Sequence, residues 1–350
     1  MNYIGKKALG IGMAAMLALG SGTSALAAAQ AAPVTGTPPY IMNFDASELL
    51  ARLMDENGVI AYELPVEADA KTAEVVCIPS DIPEGLTTLS LSAFGTVLHV
   101  PAAILTGLPA NAGMRFAIAA DSFSFMLING DGDDFVWRDH GNAIIAEVPF
   151  RAPVDISTHQ LVLESNGVPA ARSRYADGKI IAAINQSGVY APSIQGLGEF
   201  DDLQGHWSGT AVGYLHARGV LASDTYARYA PDKAVTRDVF NDMLIRALGA
   251  IPELEEGQSL NDELTRGEMF RLVYGAMEHN NLLPPVFTMQ WILFPDWPAD
   301  LDGESSAAFQ NLAKMKLIQG NSQGFLNLSN TASRAEAAQL LYNALVFSTK

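Results

Sequence analysis

A short pattern occurs three times in the second half of the chain, and each copy opens a segment with helical periodicity. The copies begin at Thr236, Thr265 and Ser333, and in each copy the next residue is an arginine. Apolar residues follow at three- and four-residue spacing, as on the buried face of an amphipathic helix. A helix start that recurs in this way indicates a repeated supersecondary unit, so this half of the chain is predicted to be helical and repetitive.

Two of the copies have the sequence of a capping box. Thr265 is followed three positions later by Glu268, and Ser333 is followed by Glu336. In a capping box the hydroxyl accepts a hydrogen bond from a backbone N–H of the first turn, and the glutamate accepts one from the cap residue. The first copy differs, because Val239 occupies the position of the glutamate.

Capping does not explain the arginine of each copy. Arg237, Arg266 and Arg334 fall in the first turn of a predicted helix, where the positive end of the helix dipole disfavours a cation. Two interpretations are open. The guanidinium and the helix N-terminus together bind an anionic group, or the guanidinium pairs with an acidic residue of a neighbouring helix.

Further landmarks precede the first and third copies in the same order. The segment Phe200–Trp207 contains a Phe-x-Asp pattern and a His-Trp pair, and Gly219 follows the next apolar segment. Phe294–Trp297 and Gly320 take the corresponding places before the third copy. The middle copy lacks these landmarks, since its motif begins only 29 positions after the first, whereas the third begins 68 positions later.

This order of landmarks resembles the S-layer homology (SLH) domain, which begins with Phe-x-Asp and His-Trp and ends with Thr-Arg-Ala-Glu at its second helix. The resemblance divides the region into a first unit at 200–249, a shortened second unit at 250–285 and a third unit at 294–347. It implies an all-α array of three units with sugar-binding grooves between them.

The resemblance also implies a ligand, the secondary cell-wall polysaccharide, as an acidic and pyruvylated polymer. The polysaccharide-binding candidates are Arg237, Arg334, Arg266, Asp202, Trp207, Asp296, Gly219 and Gly320. Five of them have a structural interpretation as well. Trp207 is expected in the core, Asp202 and Asp296 are expected to cap helices, and Gly219 and Gly320 are expected to end helices in the left-handed conformation.

The first half of the chain has a different pattern. Short apolar or alternating runs between Val59 and Tyr190 are separated by turn signals such as Asn166-Gly167 and Asp177-Gly178. They predict a β-rich domain at 44–192, joined by a linker at 193–199 to the helical region. The predicted fold class is multidomain α+β, with an N-terminal antiparallel β-sandwich-like domain followed by an all-α SLH array.

The N-terminus is expected to be an export signal. Lys6 and Lys7 precede the apolar run Ala8–Gly20, which is too short to span a bilayer. Residues 1–29 are therefore predicted to be a signal peptide, and residues 30–43 a flexible leader. With the SLH resemblance, this predicts an extracellular location on the bacterial cell wall or in its S-layer, with no membrane span after removal of the signal.

The charge of the chain limits its partners. The formal net charge is −17, which repels nucleic acid and other polyanions at long range. An anionic ligand must therefore be held by a few local cations. The single cysteine, Cys77, excludes an internal disulfide and is predicted to be a buried, inert thiol.

No catalytic residue, metal or cofactor is expected. The acidic stretch Asn129–Asp134 fails as an EF-hand, because Asp134 and His140 would occupy positions six and twelve, so a hairpin turn is favoured. The predicted function is that of a non-catalytic exported protein anchored by its SLH units, with other surface-layer proteins as further candidate partners. The alternatives are a wall-attached hydrolase with its site in the β-rich domain, and a degenerate SLH array used for protein assembly.

Overall fold

The computed structural model describes residues 40–41, 54–64, 66, 70–77, 82–109, 112–129, 134–139, 141–221, 228–249, 258–284 and 290–349. The predicted signal peptide, the leader apart from residues 40–41, and residues 130–133 of the acidic turn lie outside this set. Among the described residues, no helix is long and apolar enough to cross a bilayer.

The first half of the described chain is built from two β-sheets. The strands β1 to β14 are Tyr40–Ile41, Val59–Glu63, Thr72–Cys77, Thr88–Ala93, Thr96–Pro101, Gly113–Ala119, Phe123–Ile128, Asp134–Phe135, Ile144–Pro149, Leu161–Ser165, Val168–Pro169, Ser173–Ala176, Lys179–Ile184 and Gly188–Ile194. One sheet has eight strands in the order β1-β3-β6-β7-β14-β10-β11, with β8 paired to β7. The other has six strands in the order β12-β13-β9-β5-β4-β2.

The predicted antiparallel architecture is wrong, because the sheets are mixed. Strand β1 pairs with β3 in parallel, and β2 pairs with β4 in parallel. Strand β3 belongs to the other sheet, so the chain leaves the six-stranded sheet after β2 and re-enters it at β4. Such a crossover allows two neighbouring strands to run in the same direction, which a hairpin cannot do.

Alternating side chains of the strands form one core. Strands β5 and β9 alternate strictly between buried and half-buried positions, as the twofold period of a strand with one buried face requires. Leu98, Phe116 and Phe125 come from both sheets and are 0% exposed. Cys77 lies in the same core, as predicted, and burial raises the pKa of its thiol to about 12.

The helices of the described chain are α1 to α6: Ala102–Thr106, Gly209–Ala217, Arg237–Leu248, Arg266–His279, Gly303–Lys314 and Arg334–Ser348. The helix starts predicted at Arg237, Arg266 and Arg334 are confirmed. Both predicted capping boxes are present, with Thr265 and Ser333 as the N-cap residues.

The prediction of an all-α array after residue 199 is also wrong. Residues 199–238 contain a 3-10 turn at Asp201–Leu203, helix α2 and the start of α3, with bends and turns between the described elements. The segments before α3, α4 and α6 are joined by isolated β-bridges. Helical periodicity identifies the helices, but it carries no information about how the long segments between them pair with each other.

The helical region is bonded directly to the β-sheets. The buried Arg218 follows α2, and its guanidinium carbon lies 3.3 Å from the centroid of the Tyr214 ring. Its Nε and Nη2 donate to the carbonyl of Ser173 in β12 at 3.0 and 2.7 Å. Its Nη1 donates to the carbonyl of His159 at 2.7 Å. One cation therefore connects the end of α2 to the β-rich region.

Two arginines of the β-rich region cap the last helix. Nη2 of Arg172 donates to the carbonyl of Ser348 at 3.4 Å, and Nε of Arg174 donates to the carbonyl of Thr349. Carbonyls at a helix C-terminus lack intrahelical partners, and the helix dipole favours a cation there. The two arginines thus fix the end of α6 against the β-sheets.

Candidate functional site

Three buried residues close a ring of backbone hydrogen bonds at the helix starts. The N–H of Val235 donates to the carbonyl of Ala332 at 3.0 Å, and that of Ala332 donates to Leu264 at 2.8 Å. The N–H of Leu264 donates back to Val235 at 3.0 Å. Each residue lies directly before one of the three motifs, so the ring brings the three motifs together.

The first N–H groups of the three helices are used within this ring. Those of Arg237, Arg266 and Arg334 donate at 2.9 Å to the carbonyls of Asp262, Asn330 and Lys233, respectively. Backbone N–H groups that point at a ligand are the basis of anion binding at a helix N-terminus. Because neighbouring segments already accept these N–H groups, an anion would have to be held by side chains.

Two of the three motif arginines pair with glutamates of the next motif. Nη2 of Arg237 donates to Oε1 of Glu268 at 2.8 Å, and Nη1 of Arg266 donates to Oε1 of Glu336. Pairing with a neighbouring acid, one of the two interpretations of the motif, therefore holds for these two. Partial burial would raise the pKa of Glu268, but hydrogen bonds from Thr265 and Arg237 lower it below its ordinary 4.5.

Arg334 differs from the other two arginines. The glutamate that would meet it is replaced by Val239, and its guanidinium lies over the ring of Tyr229, 4.8 Å from the centroid. Nε of Arg334 is buried without a hydrogen-bond partner among the described residues. Arg237 and Arg266 each form an ion pair with a glutamate of the next motif, whereas Arg334 has no such glutamate.

The two candidate aspartates hold loops and do not cap the helices that follow them. The carboxylate of Asp202 accepts from the N–H groups of Tyr229 and Ala230 at 2.9 and 2.7 Å. The carboxylate of Asp296 accepts from Leu326 and Asn327 at 2.9 and 2.6 Å in the same way. The capping prediction is wrong here, because the partners lie 27 to 31 positions along the chain.

Two further expectations need correction. Trp207 is 58% exposed and is not a core residue, since it lies at the surface beside the ring of His206. Gly219 has the predicted left-handed conformation, with φ at 64°, but Gly320 does not. After α5 the left-handed residue is Lys316, with φ at 61°. Gly320 is needed for a different reason, because a Cβ there would lie 2.4 Å from the backbone of Gly324.

One cleft has a volume of about 750 Å³ and contains the Arg266–Glu336 pair. The predicted residues Trp207, Arg266 and Gly320 all line it. Six side-chain amides share its wall, from Gln319, Asn321, Asn327, Asn330, Gln339 and Asn343. Lys316, at its rim, is exposed. An exposed indole, amides and a cation are the groups that bind the apolar face, the hydroxyls and the carboxylate of an acidic sugar.

Sequence reasoning missed the amides and Lys316. They belong to no motif, and the signal that could have indicated them is the high density of Asn and Gln between positions 319 and 343. Nδ2 of Asn343 donates to the carbonyl of Leu317 at 3.0 Å, and Gln339 donates to Asn343 at 2.9 Å. These bonds fix part of the wall in place.

A second cleft, of about 590 Å³, contains the Arg237–Glu268 pair. Its charged lining consists of two arginines and four acids: Arg237, Arg271, Glu268, Glu278, Asp302 and Glu304. This cleft is therefore negative, whereas the cleft beside Arg266 has two cations and one acid. Arg334, Asp202, Asp296 and Gly219 line neither cleft.

In the β-rich region a serine contacts a histidine, and the same histidine contacts a glutamate. Oγ of Ser90 lies 2.8 Å from Nδ1 of His99, and Nε2 of His99 lies 3.5 Å from Oε1 of Glu147. Lys179 donates to the other oxygen of Glu147 at 2.7 Å, which lowers the pKa of that carboxyl. Ser90 is 7% exposed, and its strand β4 is paired on both sides. This arrangement is a polar ladder across neighbouring strands of the six-stranded sheet.

Comparison with known proteins supports the first repeat unit. Residues 199–238 match the family model of the S-layer homology domain. An amylopullulanase of Thermoanaerobacterium thermosulfurigenes is 23% identical over 182 residues, which cover 42% of this chain and 9% of the relative. An exoglucanase of Acetivibrio thermocellus is 23% identical over 204 residues, which cover 48% of this chain and 18% of the relative.

The matched part is a small fraction of both relatives, since the chain spans less than a fifth of the length of either. The family match includes Asp202, Trp207, Gly219 and Arg237 of the predicted site. The resemblance of the first unit to the S-layer homology domain is therefore confirmed over residues 199–238.

Proposed function

We propose that this protein is an exported, non-catalytic surface protein, held on a bacterial cell wall by the region after residue 199. In this proposal the cleft beside Arg266 binds an acidic secondary cell-wall polysaccharide, such as a pyruvylated one. The S-layer homology match supports attachment to the wall. The lining of the cleft supports the choice of ligand, and it is the single observation that carries the proposal.

The chemistry of the cleft fits a sugar better than a protein segment. Its six amides offer both donors and acceptors, which suit hydroxyl groups. Trp207 presents a large apolar surface at the cleft while most of its area remains open to solvent. Carbohydrate rings combine these features, with one apolar face and several hydroxyls at the edge.

Local charge favours the cleft beside Arg266 over the second cleft. The net charge of −17 repels an anionic polymer, so the binding position has to be locally positive. Arg266 is occupied by Glu336 and by the carbonyl of Leu326, which leaves Lys316 as the exposed cation of the cleft. The proposal therefore assigns the acidic group of the sugar to Lys316.

The proposal includes three SLH units, of which the second is shortened. Its support is the ring of backbone hydrogen bonds among Val235, Leu264 and Ala332, in which the residue before each motif makes the same kind of bond. Association with an S-layer and with other surface-layer proteins is part of the same proposal. It rests on the SLH resemblance alone.

The test is co-sedimentation of the chain from residue 30 with purified cell-wall sacculi, before and after removal of the secondary polymer by hydrofluoric acid. Trp207→Ala and Lys316→Gln are expected to weaken binding about tenfold each, which corresponds to about 1.4 kcal/mol. The Lys316→Gln variant should also show less dependence on salt. Trp291→Ala is the matched control, because Trp291 is 51% exposed and lies outside the cleft lining.

Equal binding to stripped and intact walls would contradict polysaccharide recognition and favour the protein-assembly alternative. A folded protein that stays in the supernatant would contradict wall attachment altogether.

The non-catalytic part of the proposal is tested separately. Ser90 and His99 are neighbours across two paired strands, and Ser90 is 7% exposed, which supports a structural role. The hydrolase alternative predicts release of reducing sugar from wall polysaccharide, with a loss of activity in His99→Ala. Detection of such activity would overturn this part of the proposal.

A further inference from the structure

A third cavity lies between the β-sheets and the helices, away from both motif clefts. Its volume is about 500 Å³, and its wall combines residues 165–172 and 183–190 with the residues that end α2 and α3. The predicted candidate Gly219 lines this cavity. Its left-handed conformation turns the chain there, and a Cβ at Gly219 would lie 3.7 Å from Pro169.

The charge of this cavity is one-sided. Four arginines line it, Arg138, Arg172, Arg218 and Arg246, and none of its described lining residues is an aspartate or a glutamate. The whole chain has 38 acidic and 21 basic residues, so a cavity whose charged lining residues are all cations is contrary to its average composition. Clustered guanidinium groups repel one another unless an anion lies between them.

The two inner arginines lack carboxylate partners in the described structure. The guanidinium of Arg218 lies over the Tyr214 ring and donates to backbone carbonyls, and these uncharged groups do not cancel its charge. Nη2 of Arg172 donates to the carbonyl of Ser348, but its Nε is buried without a hydrogen-bond partner among the described residues. Burial lowers the pKa of both side chains to about 10, so both remain cations at neutral pH. A buried, unpartnered donor on a charged group is costly unless a ligand accepts from it.

The two outer arginines are accessible from solvent. Arg138 is exposed, and the side chain of Arg246 is 46% exposed. Nε of Arg246 donates to Asp242 at 2.9 Å, which leaves its terminal nitrogens available. The cavity therefore has one buried and one half-buried cation, Arg218 and Arg172, and two cations with solvent-exposed side chains, Arg138 and Arg246.

The rest of the wall is both polar and apolar, and its polar residues are Ser165, Asn166, Asn185, Gln186, Ser187 and Tyr190. Val168, Pro169, Ile184, Ile245 and Leu248 contribute hydrocarbon surface. A bare inorganic ion would leave this surface and most of the volume unused. The lining therefore suits a ligand with a compact anionic group and an apolar or sugar-sized body.

We propose that this cavity is a binding site for a small organic phosphate, whose phosphate group lies among Arg138, Arg172 and Arg246. Guanidinium groups match phosphate oxygens with paired N–H donors, and a dianion balances several cations better than a single carboxylate does. The site is separate from the polysaccharide cleft, and the inference does not rest on the proposed function.

The test is isothermal titration calorimetry of the chain from residue 30 with inorganic phosphate and with phenyl phosphate, in buffers of equal ionic strength. Both should bind, and phenyl phosphate should bind at least tenfold more tightly because its ring covers the apolar wall. The Arg138→Gln, Arg246→Gln double variant should lose at least tenfold in affinity for both. Because both side chains are at the surface, this variant should keep its fold, as checked by circular dichroism.

The matched control is Lys71→Gln with Arg151→Gln, which removes two exposed positive charges from residues outside the cavity lining. This control should bind both ligands as the unmodified protein does. The proposal is overturned if neither ligand binds, or if the control loses as much affinity as the cavity variant. Equal affinities for the two ligands would overturn the organic part of the assignment.

Discussion

Arg237 and Glu268 lie 31 positions apart and form an ion pair in which the arginine side chain is only 4% exposed. Glu268 also caps its own helix, so a single carboxylate joins the start of α4 to the start of α3. Arg266 and Glu336 repeat this relationship between α4 and α6. The glutamate of the motif therefore has two structural tasks, and its loss affects two helix starts together.

Glu268→Gln is expected to lower the free energy of unfolding by about 2 kcal/mol, because it leaves the buried Arg237 without a counter-charge. Urea denaturation followed by circular dichroism measures the change. Adding Arg237→Met should recover part of the loss, since the unpaired cation is then absent. If the double variant loses the full sum of the two single changes, Arg237 and Glu268 are not coupled.

Val239→Glu is expected to complete the ring of ion pairs. The new carboxylate would occupy the position equivalent to Glu268 and Glu336 and meet Arg334, and it would form a capping box with Thr236. The expected gain in the free energy of unfolding is about 1 kcal/mol.

Val239→Gln is the matched control, because it supplies the cap without the charge. It should give a smaller gain than Val239→Glu, and the difference should shrink in high salt. A charged variant no more stable than the neutral one would show that Arg334 is not the third member of the set.

Stability should fall with acid in a way that depends on Glu268. Its pKa is lower in the folded protein than its ordinary 4.5, so the folded state favours the ionised form. The resulting stabilisation is complete above the ordinary pKa and is lost as the pH falls through the folded-state pKa. Between about pH 7 and about pH 3, the unfolding free energy of Glu268→Gln should therefore decline less steeply than that of the unmodified protein.

Asp202→Ala and Asp296→Ala are expected to destabilise the fold by similar amounts, about 2 kcal/mol each, because each carboxylate accepts two backbone N–H groups. Thermal unfolding of the two variants measures this. Asn is the conservative replacement. It should lose only about half as much unfolding free energy as Ala does, since its one carbonyl oxygen can still accept a hydrogen bond. A loss of wall binding without loss of stability would instead assign these aspartates to the ligand.

The helix starts could be predicted because their signals are local. A hydroxyl at the cap and a glutamate three positions later act within one turn, and the structure has capping boxes at Thr265 and Ser333. The partners of Asp202 could not be predicted, because they lie 27 and 28 positions away in a segment without a motif. The same limit applies to strand direction, since alternation marks a strand but not its neighbour.

The sequence predicts some of the residues that line the cleft beside Arg266. The motif identified Arg266, and the family resemblance added Trp207 and Gly320, all of which line one cleft. The amides of that cleft were missed because Asn and Gln are common at surfaces, and only the fold shows that they face one another. The exposure of Trp207 was missed because an aromatic residue at a helix start satisfies a core and a surface position equally well.

The closed ring of hydrogen bonds among Val235, Leu264 and Ala332 affects how the helical region unfolds. In a linear repeat protein each unit contacts only its neighbours, and the terminal units fray first. A ring has no terminal unit, because opening any junction removes support from both remaining ones. We therefore expect α3, α4 and α6 to exchange their amide hydrogens through one cooperative opening, and a C-terminal deletion that removes α6 to unravel the helices before it.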